Sequence, residues 1–188
     1  VIVIPANLDL NITAAANKVN FNGVRIDDVK GNLHINNGGL SLKQTGFKII
    51  GSETTMDAAY KSDGINKAAF DFKINAKDFD VKKAYDSIKL FRDMATAAGK
   101  SQGIVSLDYT LKGKLDGNMQ PIYPSLEGDG VLSVKQVKMK GFRLFSAVSR
   151  KTGKDSVANP DLSKVDIKSR IKNNIISLER FKVKMAGF

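Results

Sequence analysis

His34 is the chain's one imidazole, and so the first place to look for proton transfer near neutral pH. It stands between Leu33 and Ile35, and strand alternation sends it to the opposite face from both. A solvent-facing imidazole follows, because a general base or a metal ligand needs partners and none is placed for it. No spacing of His, Cys or carboxylates matches a metal site. Cysteine is absent, which excludes disulfides, thiolate ligands and cysteine nucleophiles. Asp27 and Asp28 are the nearest paired acids, but adjacent strand residues point apart, so a bulge or turn is the better account than an acid pair. The glycine-rich runs GNLHINNGG and GDGVLSV lack the spacing of a dinucleotide loop. KTGK, Lys151 to Lys154, lacks the leading glycine and the following Ser or Thr of a phosphate loop. Catalysis and cofactor binding are therefore not expected.

Surface chemistry remains. The net charge is +11, which raises anionic partners. The lysines, however, stand singly between apolar residues, as in FDFKIN, VKMKGF and FKVKM. A solvated strand face produces that spacing. The ten Phe fall mostly in phase with the apolar positions, whereas single-stranded nucleic-acid binding wants exposed aromatics among the lysines. Phe142, beside Lys140 and Arg143, is the least settled of them, and nucleic acid is not the expected partner. No stretch approaches the roughly 18 apolar residues needed to span a bilayer.

The elements that must position these residues are strands. Leu8, Leu10 and Ile12 alternate with polar neighbours, and Val19 and Phe21 resume the period before Asn22-Gly23, a hairpin signal. Ile26, Val29, Leu33 and Ile35 follow, with an irregularity at Asp27-Asp28. After Asn36-Asn37-Gly38-Gly39 come Leu40 and Leu42. Phe47 and Ile49 begin another strand, which ends or kinks at Gly51. Met56, Ala58 and Tyr60 lead to a turn over 61–64, and Phe70, Phe72 and Ile74 return. From Asp80 to Ala98 the period changes to three and four residues, which predicts one amphipathic helix about 27 Å long, capped by Asp80 and stopped by Gly99. Val105, Leu107, Tyr109 and Leu111 resume the alternation up to Leu115 and the turn at Asp116-Gly117-Asn118. A loop or short helical turn is expected between Pro121 and Pro124. Leu132, Val134, Val137 and Met139 follow, then a short helix after Gly141 and an exposed loop from Arg150 to Asp161.

One strand–turn–strand pattern occurs twice. VKGNLHINNGGLSL, Val29 to Leu42, with FKIIG, is answered by IKSRIKNNIISL, Ile167 to Leu178, with VKMAG. Leu42, Phe47, Ile49 and Gly51 keep one offset to Leu178, Val183, Met185 and Gly187, and upstream the second copy reads as two residues shorter at the turn. Repetition suggests an elongated sheet rather than an enzyme pocket. The chain of 188 residues reads as one mainly β domain of about a dozen strands and one or two helices, and as a piece of a longer protein. Its apolar face is either packed on itself and the helix, or left as a curved trough.

Three elements resemble the C-terminal region of the AsmA family of bacterial envelope proteins. They are Pro5-x-x-Leu8-x-Leu10; a strand followed by Gly39-Leu40-x-Leu42 and a strand ending in Gly51; and Ser125-Leu126-Glu127-Gly128-x-Gly130 followed by a strand and Gly141-Phe142. The resemblance implies an elongated, curved antiparallel sheet that forms a trough or open half-barrel on an amphipathic helix. It implies a periplasmic protein anchored in the inner membrane by a segment outside this chain, acting without catalysis in outer-membrane biogenesis and phospholipid movement. Lipid-facing candidates on the alternating face are Leu33, Ile35, Leu40, Leu42, Phe47, Ile49, Phe70, Phe72, Ile74, Leu107, Tyr109 and Leu111. Phospholipid or another acyl-chain lipid is the expected partner, with no cofactor. A scaffold that meets envelope proteins through sheet edges is the alternative.

Overall fold

Alternating segments become an uninterrupted meander in the computed structural model, which describes residues 1–21, 23–139 and 161–179. Nine strands form one antiparallel sheet in strictly sequential order. They are β1 (Asp9–Phe21), β2 (Val24–Asn36), β3 (Gly39–Ile49), β4 (Ser52–Asp63), β5 (Lys67–Asp80), β6 (Ser101–Leu115), β7 (Glu127–Met139), β8 (Asp161–Lys172) and β9 (Ile175–Leu178). Among the described residues β1 and β9 are the two edges and do not pair with each other, so the sheet is open. Connections of two or three residues from β1 to β5 and from β8 to β9 leave antiparallel pairing as the only geometry for those neighbours.

Tight turns set the register. Asn37-Gly38, Ile50-Gly51 and Asn173-Asn174 each place two consecutive residues at positive φ, between 50° and 77°. That is the turn whose twist matches paired strands. The pairs flanking two of these turns, Asn36 with Gly39 and Lys172 with Ile175, keep the same offset as Leu42 with Leu178. The repeat is therefore ungapped, and the shortening expected at its second turn is absent. VKMAG lies outside the described residues.

Among the described residues, longer strands stand where several shorter ones are expected, and the reason lies at bulges. Asp28, Gln44 and Asp78 sit at φ of 54°, 47° and 55°, each where the pairing register shifts. The extra residue restores phase instead of ending the strand. Leu40, Leu42, Phe47 and Ile49 thus belong to the single strand β3. β4 runs through Asp63, so its turn is Gly64 to Asn66 and not the expected 61–64.

The expected helix is broken. α1 (Val81–Ser87) begins as anticipated, with the Asp80 carboxylate accepting from the Lys83 N–H at 2.9 Å. Ile88 then takes an extended conformation, φ −109° and ψ 106°, before α2 (Lys89–Met94). A 3-10 turn over Thr96–Lys100 passes through Gly99, which therefore does not stop the segment. A Cβ on Gly99 would lie 2.7 Å from the Tyr85 ring, so close approach is what this glycine permits. A second 3-10 turn, Tyr123–Ser125, is centred on Pro124 and so overlaps the far end of the span where a turn is expected. The short helix after Gly141, Phe142, KTGK and the loop up to Pro160 lie outside the described residues.

The helical segment covers one face of β5 to β8. Val81 and Ala84 pack with Ala76, Phe79, Ala98, Val105, Val134 and Val165 in a first cluster. Leu90 and Met94 pack against a second, built on Tyr109, Leu111, Leu126 and Ile171. Phe91 meets Phe79 edge to face at 5.9 Å between ring centres.

Candidate functional site: an apolar sheet face, half covered

Cross-strand pairing joins the apolar positions into rows that traverse the sheet. One row runs Ile12, Leu33, Leu42, Ala58, Phe72, Leu111, Gly128, Ile171 and Ile176, from edge to edge. A second runs Leu10, Ile35, Leu40, Tyr60, Phe70. Directly opposed residues of antiparallel strands share a face. All twelve lipid-facing candidates fall on this one face, since Phe47 opposes Thr54, Ile49 opposes Ile26, Ile74 opposes Tyr109 and Ala76 opposes Leu107.

The face is not uniform along its length. Leu33, Ile35, Leu40, Leu42 and Ile49 are half-buried on β2 and β3, and among the described residues none of them belongs to the clusters beneath the helical segment. On β1, Leu10 and Ile12 are 43% and 42% exposed, and Phe21 62%. Phe47 is buried. Phe70, Phe72, Ile74 and Leu107 are packed against the clusters beneath the helical segment, and Tyr109 and Leu111 are buried there. Of the twelve candidates, Phe47, Tyr109 and Leu111 are buried, and Phe70, Phe72, Ile74 and Leu107 share what remains of their surface with the helical cover. What remains is an open part over β1 to β4, around Leu10, Ile12, Leu33, Ile35, Leu40 and Leu42, beside a buried stretch at Thr45, Phe47, Ser52 and Thr54 and a filled half over β5 to β8.

Glycines make the filled half possible. A Cβ on Gly113 would come within 2.7 Å of Leu126, on Gly128 within 2.9 Å of Leu111, and on Gly130 within 2.4 Å of the Tyr109 ring. Tyr109 and Leu111 lie over the neighbouring strand because β7 carries no side chain there. The Tyr109 hydroxyl thereby reaches Ser169 Oγ on β8, at 3.1 Å. Burial pushes the Tyr109 phenol above its ordinary pKa, and the Ser169 bond offsets part of that. The alternation pattern did not reveal this packing; the glycines at 113, 128 and 130, all in phase with the apolar positions, were its only trace.

Residues 1–4 bound the open half at the strand tips. The Tyr60 hydroxyl accepts from the Ile2 N–H at 3.1 Å and donates to the Ile2 carbonyl at 2.7 Å. The Ile4 N–H donates to Ser62 Oγ at 3.3 Å. Leu8 closes a turn on Pro5 that carries the chain back to β1.

The opposite face is polar. His34 lies there as expected, its Nε2 3.2 Å from an Asp9 carboxylate oxygen. Asp27 and Asp28 diverge at the expected bulge, Asp27 to Arg25 at 2.8 Å and Asp28 to Lys48 at 2.9 Å. The Lys48 ammonium holds the Asp28 carboxyl below the usual carboxylate range, and Lys135 does the same for Asp78. Lysines of this face are thus partly matched by carboxylates across strands, Lys112 with Glu127 included. A shallow depression of about 530 Å³ opens on this side, walled by His34, Ser41, Asp71 and Lys112. Nothing in the strand alternation indicated it.

Among the described residues no three His, Asp or Glu side chains gather as a metal set, and no helix is long and apolar enough to cross a membrane. No protein-family model, curated protein or solved structure matches the chain.

Proposed function

We propose that this chain is a non-enzymatic module that guides an acyl-chain lipid, such as a phospholipid, along the open half of its apolar sheet face. In the setting implied by its resemblance to the AsmA family, it acts in the periplasm as part of an inner-membrane-anchored protein, in outer-membrane biogenesis. The observation that carries the reading is the unbroken apolar row from Ile12 through Leu33 and Leu42, wetted on β1 and β2 rather than closed into a core. Each methylene taken from water onto such a wall contributes about 0.8 kcal/mol. No directional chemistry is required of the side chains, which suits a ligand that must be held and also passed along.

Leu42→Glu tests it. Leu42 is half-buried, lies in the middle of the open half and belongs to neither packed cluster. The substitution should abolish lipid that co-purifies after gentle extraction, read by mass spectrometry, while far-UV circular dichroism stays unchanged. Phe72 is the poorer site, because it packs under the helical cover and a charge there would disturb the fold itself. Equal lipid on the wild-type and Leu42→Glu proteins overturns the proposal. A second reading, a scaffold that meets envelope proteins by its edges, draws on the unpaired edge of β1; lipid-free protein under the same extraction favours it.

A further inference from the structure

We infer that β1 pairs antiparallel with the β1 of a second copy of this chain, about a two-fold axis at Thr13. An edge strand exposes a row of unused N–H and C=O groups, and natural sheets protect long edges with proline, bulges or charge. β1 has 13 residues, all exposed except Ala16. It contains no proline and no glycine, and its only charges are Asp9 and Lys18. β9, the other edge, has only four described residues. Residues 1–8 do not cover β1, because they turn at Pro5 and bind Tyr60 and Ser62 on β4.

The strand is complementary to itself in one register. With Thr13 opposite Thr13, Ile12 faces Ala14 of the second copy and Leu10 faces its Ala16. Each large side chain then lies against a small one, all on the apolar face. Ala16 shares its face with Val29, whereas Lys18 opposes Asp27, whose next neighbour is Lys48 on the polar side. Asn17 therefore absorbs a change of phase opposite the bulged Asp28. Asn17 keeps register with β2, but in the new pairing, where Asp9 of the second copy would otherwise meet Asn17, looping Asn17 out as a bulge brings Lys18 opposite that Asp9. The strand's two charges are thus matched twice, once on each side of the axis. Such an isologous contact closes on itself and stops at a dimer. It would join two open apolar halves into one wall. The inference rests on the edge and its charges, and stands whether or not the face carries lipid.

The absence of cysteine makes the test simple. Directly opposed residues of antiparallel strands are about 4.5 to 5.5 Å apart at Cα, within the span of a disulfide. Thr13→Cys should form a covalent dimer on mild oxidation, and Thr110→Cys, exposed on the polar face of β6, should not. Sedimentation velocity on the unmodified chain should show a concentration-dependent dimer. Asp9→Lys should weaken it about tenfold, and Asp9→Lys with Lys18→Asp should restore it. A chain that stays monomeric throughout the micromolar range overturns the inference and leaves the edge to a foreign strand. A dimer that Thr13→Cys does not cross-link, or that the charge swap does not rescue, overturns it equally.

Discussion

Thr45 sits on the apolar face of β3, 3% exposed, and its hydroxyl has no hydrogen-bond partner among the described residues. It leans over Gly31, where a Cβ would come within 2.4 Å of that oxygen. A buried hydroxyl without a partner costs more than its methyl isostere. Thr45→Val should therefore raise stability by about 1 kcal/mol, read from the urea midpoint. A lowered midpoint would show that the hydroxyl does find a partner. Tyr109 gives a second prediction. Its phenol is held above the ordinary value in the fold, so the unfolded chain releases that proton first. The contribution is complete below about pH 10 and is lost as the pH rises through the folded value. Stability should fall in that alkaline range, and Tyr109→Phe should flatten the fall. Tyr109 is legible in the sequence as one of the apolar-face candidates, but not its hydrogen bond, and Thr45 is not legible at all. Thr45 occupies a phase that only the bulge at Gln44 reveals, and that bulge uses positive φ at a residue type that carries no local signal for it.

At the scale of elements, alternation made the apolar face legible residue by residue, because each strand's period is two whatever lies above it. Phe70, Phe72 and Ile74 were placed on the right face for that reason. What the period cannot show is whether a face is covered, since the cover comes from a segment with a different period and from loops such as that carrying Leu126. The break at Ile88 was equally hidden, because Val81, Ala84, Phe91 and Met94 keep helical spacing across it. The covering segment competes with any ligand for β5 to β8. Phe91→Ala, which removes the edge-to-face contact with Phe79, should cost about 2 kcal/mol of stability and increase uptake of a fluorescent fatty acid. Unchanged uptake in a folded variant would mean that the cover and the ligand use different surfaces.

For the whole molecule the question is which force holds a ligand. A net charge of +11 invites an electrostatic answer, yet Lys48, Lys112 and Lys135 are already matched by Asp28, Glu127 and Asp78. If the apolar wall does the binding, fatty-acid affinity should change less than about twofold between about 50 and about 500 mM salt. A steep loss over that range would instead point to an anion binder.

Sequential strand order also bears on how such a sheet comes into being. No strand has to be threaded between two others, so each one meets its finished neighbour as soon as it leaves the ribosome. Growth is one-directional, each new strand laying its greasy side beside the last. The half over β1 to β4 would then stand before the segment that shelters β5 to β8 has been made. During synthesis that greasy surface would stand exposed for as long as β5 and the sheltering segment remain unmade.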